Sequence, residues 1–392
     1  MTFRRLTLVL AICILRPSAD ATAQIEGSVS IMYDALPDID PAPGRQDAHE
    51  FRARLFAERG DDIHDNVRVV IGAWVDGLIA GRPGYGTETD AVVSPADIYA
   101  EIAGERADLR IGASRVVWGR LDEFLPTDVV NPLDLTRFLL EGRSEARLPV
   151  GLMRGRLFLT SSSTLEGIVV PVFRASTSDR LDERSSPFNP LHTPLAVQRF
   201  EPPATLGNLQ GGARFTSTVG RLDWAVSAYR GFRSFPVSTG VPAGSSVVLH
   251  ETFPRFTMVG GDFETVRGAW GLRGEAAVFD EGRGESFEGG VGADRRAGDY
   301  RIAGDVLWSS ETGTTLVAAV DRSFARETRT LRVFTAFDPG DGTMFARAIG
   351  ALLLRENTWL EGSAGLFAGS STDTLGRLTH RDFGYVRLKV FF

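Results

Sequence analysis

The chain has 392 residues, a formal net charge of −7 and a single cysteine, Cys13. The acidic balance excludes a general nucleic-acid binder, which needs a basic surface, and one cysteine excludes a disulfide scaffold. Apolar residues make up 43% of the chain, but no run reaches the roughly 20 residues of a membrane-spanning helix. A transmembrane barrel has this profile, because only every second residue of its strands faces lipid.

The N-terminus has the parts of a secretory signal peptide. Two arginines precede an apolar run at residues 6–15, and an Ala-x-Ala cleavage site follows it. Cys13 follows an isoleucine, where lipoprotein processing requires a small residue. We therefore predict a signal peptide at residues 1–23 and a single mature domain at residues 24–392, in a protein exported from the cytoplasm.

Eighteen segments alternate apolar and polar residues with the period of two that is typical of a β-strand. Most have about the 9–11 residues that a tilted strand needs to cross an outer membrane. The predicted strands are residues 25–33, 48–58, 66–80, 96–104, 107–118, 148–160, 163–174, 207–218, 222–232, 254–265, 269–280, 286–294, 300–309, 314–322, 329–337, 345–354, 359–368 and 383–392. Sixteen strands are an alternative, because boundaries read from a sequence shift by about 2–4 residues.

The lengths of the connections give an independent indication. If both chain ends lie on one side of a barrel, the even-numbered connections lie on that side too, and all of these are short. The long connections are all odd-numbered: residues 34–47, 81–95, 119–147, 175–206, 233–253 and 369–382. Short turns at one end and long loops at the other predict a closed antiparallel transmembrane β-barrel.

The 119–147 loop is too long to be a simple connector and contains a helical pattern. Asn131 and Pro132 precede an apolar stretch, and Gly142 follows it, which predicts a short helix with an Asn N-cap. This helix lies either on the rim or inside the lumen. We predict insertion, because Phe138 would otherwise be exposed to water, and inserted loops narrow large barrels. The predicted constriction residues are Asn131, Asp134, Arg137 and Phe138.

Three motifs lie within or next to the 119–147 loop. Residues 109–119 carry Arg-x-Gly and then Trp-Gly, residues 131–134 read Asn-Pro-Leu-Asp, and Pro149 follows. In this stretch the chain resembles a poorly characterised group of porin-like bacterial outer-membrane proteins. The final strand, which ends on Phe392, looks like the closing strand of such a barrel. The resemblance implies an outer-membrane location in contact with lipid, and a barrel-assembly machinery that recognises Phe392. It names no solute.

Basic side chains recur at the predicted inward positions, and nearly all of them are arginine. They are Arg52, Arg54, Arg68, Arg110, Arg154, Arg156, Arg273, Arg301, Arg332, Arg347, Arg387 and Lys389. Rings of arginine favour anions, so these residues are predicted to line a pore. Inward acids such as Glu275 and Glu361 leave a second interpretation open, in which the charges pair with one another and make the barrel rigid.

No cofactor, metal ion or catalytic residue is predicted. The five histidines are scattered, and no nucleophile–base motif or phosphate-binding loop occurs, so we do not expect an enzyme. The sequence predicts a porin-like channel of a Gram-negative outer membrane for passive or gated passage of a small solute, anionic or hydrophobic. The 119–147 and 175–206 loops would narrow it. The alternatives are a surface adhesion or assembly barrel plugged by its loops, and a soluble exported β-protein.

Overall fold

A computed structural model describes residues 25–37, 48–82, 86–189, 195–244, 246–282, 284–369 and 376–392. The predicted signal peptide lies outside these residues, so it stays a prediction. Most of the described chain is β-strand, with two short helices and two single turns of 3-10 helix. None of the helices in these ranges is long or apolar enough to cross a membrane.

The elements follow one another along the chain with few interruptions. The strands are β1 (Ile25–Leu36), β2 (Ala48–His64), β3 (Val67–Arg82), β4 (Gly86–Ala103), β5 (Ala107–Ser114), β6 (Val150–Thr160), β7 (Ser163–Val170), β8 (Ala196–Phe200), β9 (Gln210–Val219), β10 (Leu222–Phe232), β11 (Val237–Ala243), β12 (Ser246–Thr252), β13 (Arg255–Arg267), β14 (Trp270–Asp280), β15 (Glu285–Ala297), β16 (Tyr300–Ser309), β17 (Gly313–Phe324), β18 (Arg329–Phe337), β19 (Met344–Arg355), β20 (Thr358–Ala368) and β21 (Phe383–Phe391). The helices are α1 (Leu135–Glu141) and α2 (Arg143–Ala146), and the 3-10 turns are Leu206–Asn208 and Gly376–Leu378.

Eighteen of the strands form one closed antiparallel sheet. Each pairs with the next wall strand along the chain, and β21 pairs with β1 to complete the barrel. The seam continues to the last residue, because the Gly27 N–H donates to the Phe392 carbonyl at 3.0 Å and the Phe392 N–H donates back at 3.1 Å. A side chain at Gly27 would overlap the Phe392 ring, since its Cβ would lie 2.5 Å away. The predicted eighteen-stranded barrel is confirmed, and the sixteen-stranded alternative is wrong.

The two ends of the barrel differ in their connections. We call the end where β1 begins and β21 ends the turn end, and the opposite end the loop end. Connections at the turn end are as short as residues 161–162, whereas residues 115–149, 171–209 and 233–254 connect strands at the loop end. The predicted alternation of short and long connections is therefore confirmed.

The β3–β4 hairpin corrects one predicted loop. Residues 81–95 were expected to be a loop, but β4 already begins at Gly86. The ladder runs from the Ile71–Ile98 pair to the Ala73–Pro95 pair, so two residues of β4 oppose one of β3. A β-bulge accommodates proline, because it locally interrupts the ladder hydrogen bonds that proline cannot donate.

Two further expectations were wrong. The strand predicted at 107–118 ends at Ser114, after which the chain leaves the wall and enters the lumen. Beyond the wall, β11 and β12 form an antiparallel hairpin, and β8 pairs in parallel with β12. We expected no strands in the 175–206 and 233–253 loops, because these three are short and lack long alternation.

The outward positions of the wall carry exposed apolar side chains. They include Val29, Ile31, Leu55, Ile71, Val75, Ile79, Val226, Val259, Val291, Ile302, Val306, Val333, Val386 and Leu388. The inward positions carry charged, aromatic and small residues, such as Arg54, Phe334 and Ala336. An apolar surface that extends around the whole wall is unfavourable in water. The outer surface of the barrel therefore matches an apolar surrounding.

Candidate functional site

The 119–147 loop lies inside the lumen rather than on the rim. Leu139 and Leu140 of α1 are 3% and 1% exposed. They belong to one buried cluster with inward residues from both sides of the barrel seam: Met32, Val317, Phe334, Phe345, Phe367, Phe383 and Tyr385. Phe138 is half-buried and meets Phe124 edge to face, with ring centroids 5.9 Å apart. Burial of the apolar face of α1 holds the helix against the wall.

The local sequence of α1 differs in one respect from expectation. The N-cap is Asp134, whose side chain accepts a hydrogen bond from the Arg137 N–H at 3.1 Å, and not Asn131. Gly142 ends the helix with a φ of 95°, in the left-handed region. The predicted Asn131 cap was wrong because that side chain makes other contacts.

Asn131 joins the two ends of the loop. Its Oδ1 accepts from the Val116 N–H at 2.7 Å, and its Nδ2 donates to the carbonyls of Leu148 at 2.8 Å and Ser114 at 3.3 Å. Asn131 is 5% exposed, so these are buried hydrogen bonds. They fix the points at which the chain leaves β5 and returns to β6.

The other motif residues of the porin-like resemblance lie near the points where the loop leaves β5 and returns to β6. The Trp118 Nε1–H donates to Glu166 at 2.8 Å. Arg110 donates to Glu101 at 2.6 Å and stacks 3.9 Å above the Tyr99 ring. The Pro149 carbonyl accepts from an arginine of the next loop at 2.6 Å. The contacts of Trp118 and Pro149 therefore position the inserted loop, whereas Arg110 binds the neighbouring wall strand β4.

Glu275 of β14 holds the opposite side of the loop. One carboxylate oxygen accepts from the N–H groups of Arg120 at 2.8 Å and Leu121 at 3.3 Å. The other accepts from the N–H and hydroxyl of Thr127 at 2.6 and 2.8 Å. Gly119 has a φ of 91°, and a Cβ there would lie 2.5 Å from this carboxylate. Only glycine allows the chain to approach so closely.

The C-terminal end of α1 is bound to the wall near the seam. Arg347 and Tyr385 both donate to the Leu140 carbonyl, the tyrosine hydroxyl at 2.9 Å. Glu141 pairs with Arg387 at 2.5 Å and with Arg137. Burial alone would raise the pKa of Glu141, but these two guanidinium groups hold it well below its ordinary value. Helix α1 is thus attached by charge and hydrogen bonding as well as by apolar packing.

The 175–206 loop also enters the lumen. The Ser176 hydroxyl accepts from the Leu133 N–H at 2.9 Å, which joins the two inserted loops. Phe188 is 1% exposed and packs on Phe383, with ring centroids 5.7 Å apart. Asp179 pairs with Arg52 of β2 at 2.8 Å. This loop was predicted as a second narrowing element, and it packs beside the first.

Asp179 is one member of a buried group of charges that we call the loop-end cluster, formed by Asp34, Glu50, Arg52, Arg82 and Asp179. The Arg82 Nε–H donates to Glu50 at 2.6 Å, and Arg52 also binds Glu50. Asp34 lies 3.5 Å from Arg52. Asp34 and Arg82 were missed in the sequence, because the predicted strands stopped at residues 33 and 80. The continued alternation of β1 and β3 could have indicated both.

The predicted pore-lining bases are mostly paired. Ten of the twelve have a carboxylate oxygen within 4.0 Å: Arg52, Arg54, Arg110, Arg154, Arg156, Arg273, Arg301, Arg332, Arg387 and Lys389. Within the described residues, Arg68 and Arg347 lack such a partner, and Arg347 donates instead to Leu140, Ser363 and Tyr385. These contacts fit the second interpretation, a lumen of mutually paired charges. A role of the bases in selectivity stays a prediction.

Asp134 gives the loop a dependence on pH. Burial raises the pKa of its carboxyl to about 6, and the charge of Asp179 adds to this. The pKa lies above its ordinary value of 3.8, so the folded state binds this proton more tightly than the unfolded state. The contribution of this carboxyl to the free energy of unfolding is therefore fully present below about pH 4 and is lost as the pH rises through about 6.

We expect Asp134→Asn to remove the pH-dependent contribution of this carboxyl to stability, while the asparagine side chain still provides an N-cap acceptor. The wild type should lose stability relative to the variant between about pH 4 and 7, by on the order of 3 kcal/mol. Urea unfolding of both proteins in the same detergent, followed by tryptophan fluorescence, measures this difference. A difference that stays constant over the whole pH range would contradict the assignment.

Three cavities share lining residues in succession, the outer one among the loops of the loop end. An outer cavity of about 1160 Å³ lies beside β8 and β12, a middle cavity of about 460 Å³ lies beside the 119–147 loop, and an inner cavity of about 250 Å³ reaches Arg332 near the turn end of β18. Phe235 lines both the outer and the middle cavity. Phe124 and Arg143 line both the middle and the inner one. No group of three or more potential metal ligands occurs among the described residues.

A closed eighteen-stranded antiparallel wall with loops folded into its lumen defines a porin-like barrel. Pseudomonas aeruginosa OccK7 (OpdD) has a similar structure, with a TM-score of 0.55 and 12% sequence identity over 95% of this chain and 98% of that one. Salmonella typhi OmpF, in a complex with daunomycin, gives a TM-score of 0.47 and 8% identity over 94% and 97% of the two chains. A variant of the Rh. blastica porin gives 0.41 and 11% over 94% and 100%. No family model and no curated protein matches the sequence.

Proposed function

We propose that the protein is an outer-membrane channel that lets small solutes pass through its barrel. The observation that carries this proposal is the succession of three cavities, each sharing lining residues with the next, that runs from the loop end into the closed barrel. A plug that served only to seal the barrel would not need such a series of cavities. We expect no catalytic residue, metal ion or cofactor in this function.

Phe124 and Arg143 border both the middle and the inner cavity, so the constriction of the proposed path is placed between them. Arg143 donates to Asp128 at 3.0 Å and to the Glu123 carbonyl at 3.1 Å. Both partners belong to the 119–147 loop, so this loop forms the constriction. Its attachment to several wall strands sets the width of the path at rest.

The location follows from the same features. The exposed apolar belt of the wall requires lipid, and residues 1–23 would direct export. Phe392, at the end of the seam, would be the signal that the assembly machinery recognises. On this basis the turn end faces the periplasm and the loop end faces the outside. Membership of the porin-like group with the Arg-x-Gly…Trp-Gly and Asn-Pro-x-Asp motifs is part of this proposal.

Planar-bilayer recordings test the channel directly. We expect small discrete openings from the full-length protein, and severalfold larger ones when residues 120–146 are replaced by a short Gly-Ser linker. Retention of the heat-modifiable mobility of a folded barrel serves as the control for the shortened protein.

An adhesion or assembly barrel plugged by its loops is the second candidate. The buried ion pairs that hold both loops in the lumen favour it. No openings from either the full-length or the shortened protein would contradict the channel and support this alternative.

A further inference from the structure

We propose that the middle cavity binds a small amphipathic cation, with an aromatic body and a single amine. This inference rests on the proposed channel only for its place on the solute path. The binding site itself is argued from the cavity. Its volume of about 460 Å³ lies within the range of small-molecule sites.

The wall of the cavity is mainly apolar and aromatic. The inserted loop contributes Phe124 and Leu133, the barrel wall contributes Phe279 and Leu307, and the connection after β10 contributes Phe235. Phe235 is 42% exposed, so its ring is available to a bound molecule. A surface of this kind favours an aromatic body, which gains by removal from water and by ring contacts.

The same rings already bind a cation. The Arg233 guanidinium lies 4.4 Å from the centroid of Phe279 and 5.2 Å from that of Phe256. Its charge is satisfied by Glu281 at 2.5 Å. Aromatic faces attract cations through the ring quadrupole, so this arrangement indicates that the cavity tolerates positive charge beside its rings.

Glu288 supplies a carboxylate for the amine. It points inward from β15, lines the cavity, and its side chain is 35% exposed. It forms a long ion pair with Arg233, whose Nη1 lies 3.9 Å away, within ion-pair distance but beyond hydrogen-bond distance. No hydrogen bond to Glu288 is found among the described residues. A carboxylate with free acceptor positions in an apolar cavity recognises an ammonium group strongly.

The charge balance of the cavity favours a cation over an anion. Four acids and two bases line it: Asp128, Glu288, Glu311, Asp338, Arg143 and Arg233. Asp128 is further neutralised by Arg147 at 2.7 Å, and Glu281 lies behind Arg233. Counting these neighbours leaves the acids in excess by two. Like charge repels an anion in such a site, which contrasts with the anionic solute that the arginine content of the sequence favours.

Three probes of similar shape test the proposal: benzylamine, benzyl alcohol and benzoate. Ligand-observed NMR titration of the full-length protein, folded in detergent micelles, gives the affinity for each. We expect benzylamine to bind most tightly and benzoate least. Glu288→Gln should weaken benzylamine binding about tenfold or more and leave benzyl alcohol unchanged. Glu285→Gln, in the same strand and outside the cavity lining, is the matched control, and comparison with it removes partition into detergent.

Glu288→Asp keeps the charge and should retain most of the preference for benzylamine, which covers the case in which the glutamine variant does not fold. Tighter binding of benzoate than of benzylamine, or equal benzylamine affinities in wild type and the glutamine variant, would overturn the proposal. Binding is measured without ion flow, so the two proposals can fail separately. Selective binding without conductance would support the cation site and contradict the channel. Conductance without selective binding would support the channel and contradict the cation site.

Discussion

Replacement of Glu275 by glutamine is expected to free the start of the 119–147 loop and raise the single-channel conductance severalfold. Both carboxylate oxygens accept hydrogen bonds, from the N–H groups of Arg120, Leu121 and Thr127 and from the Thr127 hydroxyl. Glutamine replaces one acceptor by an NH₂ donor that faces these N–H groups. Hydrogen bonds to a charged group contribute about 1.5–3 kcal/mol each. The free energy lost at the Glu275 site is therefore larger than the contribution of an ordinary surface contact.

Bilayer recordings and limited proteolysis from the loop end measure this release independently. Glu264→Gln is the matched control, because Glu264 contacts the same loop through the Arg120 side chain at 3.1 Å but is 43% exposed. An exposed ion pair contributes at most about 1 kcal/mol, so the control should resemble the wild type. Equal conductance and equal cleavage in the two variants would show that Glu275 does not hold the loop.

The largest loss of stability is expected from Arg82→Met. The Arg82 side chain is 2% exposed and pairs with Glu50 at 2.6 Å, Asp182 at 3.2 Å and Asp179 at 3.6 Å. Its removal leaves the buried carboxylates of the loop-end cluster with Arg52 alone. Loss of one partner from a buried ion pair costs about 3–5 kcal/mol, because the remaining charge is uncompensated. The midpoint of urea unfolding should fall accordingly.

Arg59→Met provides the comparison. Arg59 pairs with Asp61 at 2.7 Å near the turn end of β2, with side chains 42% and 30% exposed. We expect a change of less than about 1 kcal/mol there, whereas Arg82→Lys, which keeps the charge, should lie between the two. If the methionine variants at positions 59 and 82 unfold at the same urea concentration, the loop-end cluster does not stabilise the barrel.

The wall of this protein could be predicted well from its sequence. Each wall strand has an apolar outer face and an inner face toward the lumen, so alternation appears in the sequence wherever a strand belongs to the wall. Because neighbouring strands of the closed barrel are antiparallel, successive connections then lie at alternating ends of it. The errors occurred where this rule does not hold: at the bulge beside Pro95, beyond the end of β5 at Ser114, and in the small sheet of β8, β11 and β12, which lies outside the wall.

The inside of the barrel was only partly predictable. The apolar stripe of α1 indicated burial and Gly142 indicated its end. Which residue would cap the helix depended on contacts between distant segments, because Asn131 is held by Val116 and Leu148. Some inward arginines pair with acids of neighbouring wall strands, such as Arg54 with Asp76, but others pair with acids of the inserted loops, such as Asp122 and Asp179. Sequence position alone does not reveal the loop partners.

The seam between β1 and β21 has a consequence for how the molecule is made. Phe392 forms reciprocal hydrogen bonds with Gly27, near the first described residue. These contacts join parts of the described chain that are more than 360 residues apart in sequence, so closing them carries the largest loop-closure entropy of any strand pair in the wall. Contacts of such high sequence separation form slowly. Until they form, β1 and β21 each present an unpaired edge, and completion of the cylinder is expected to be the final step of its biogenesis.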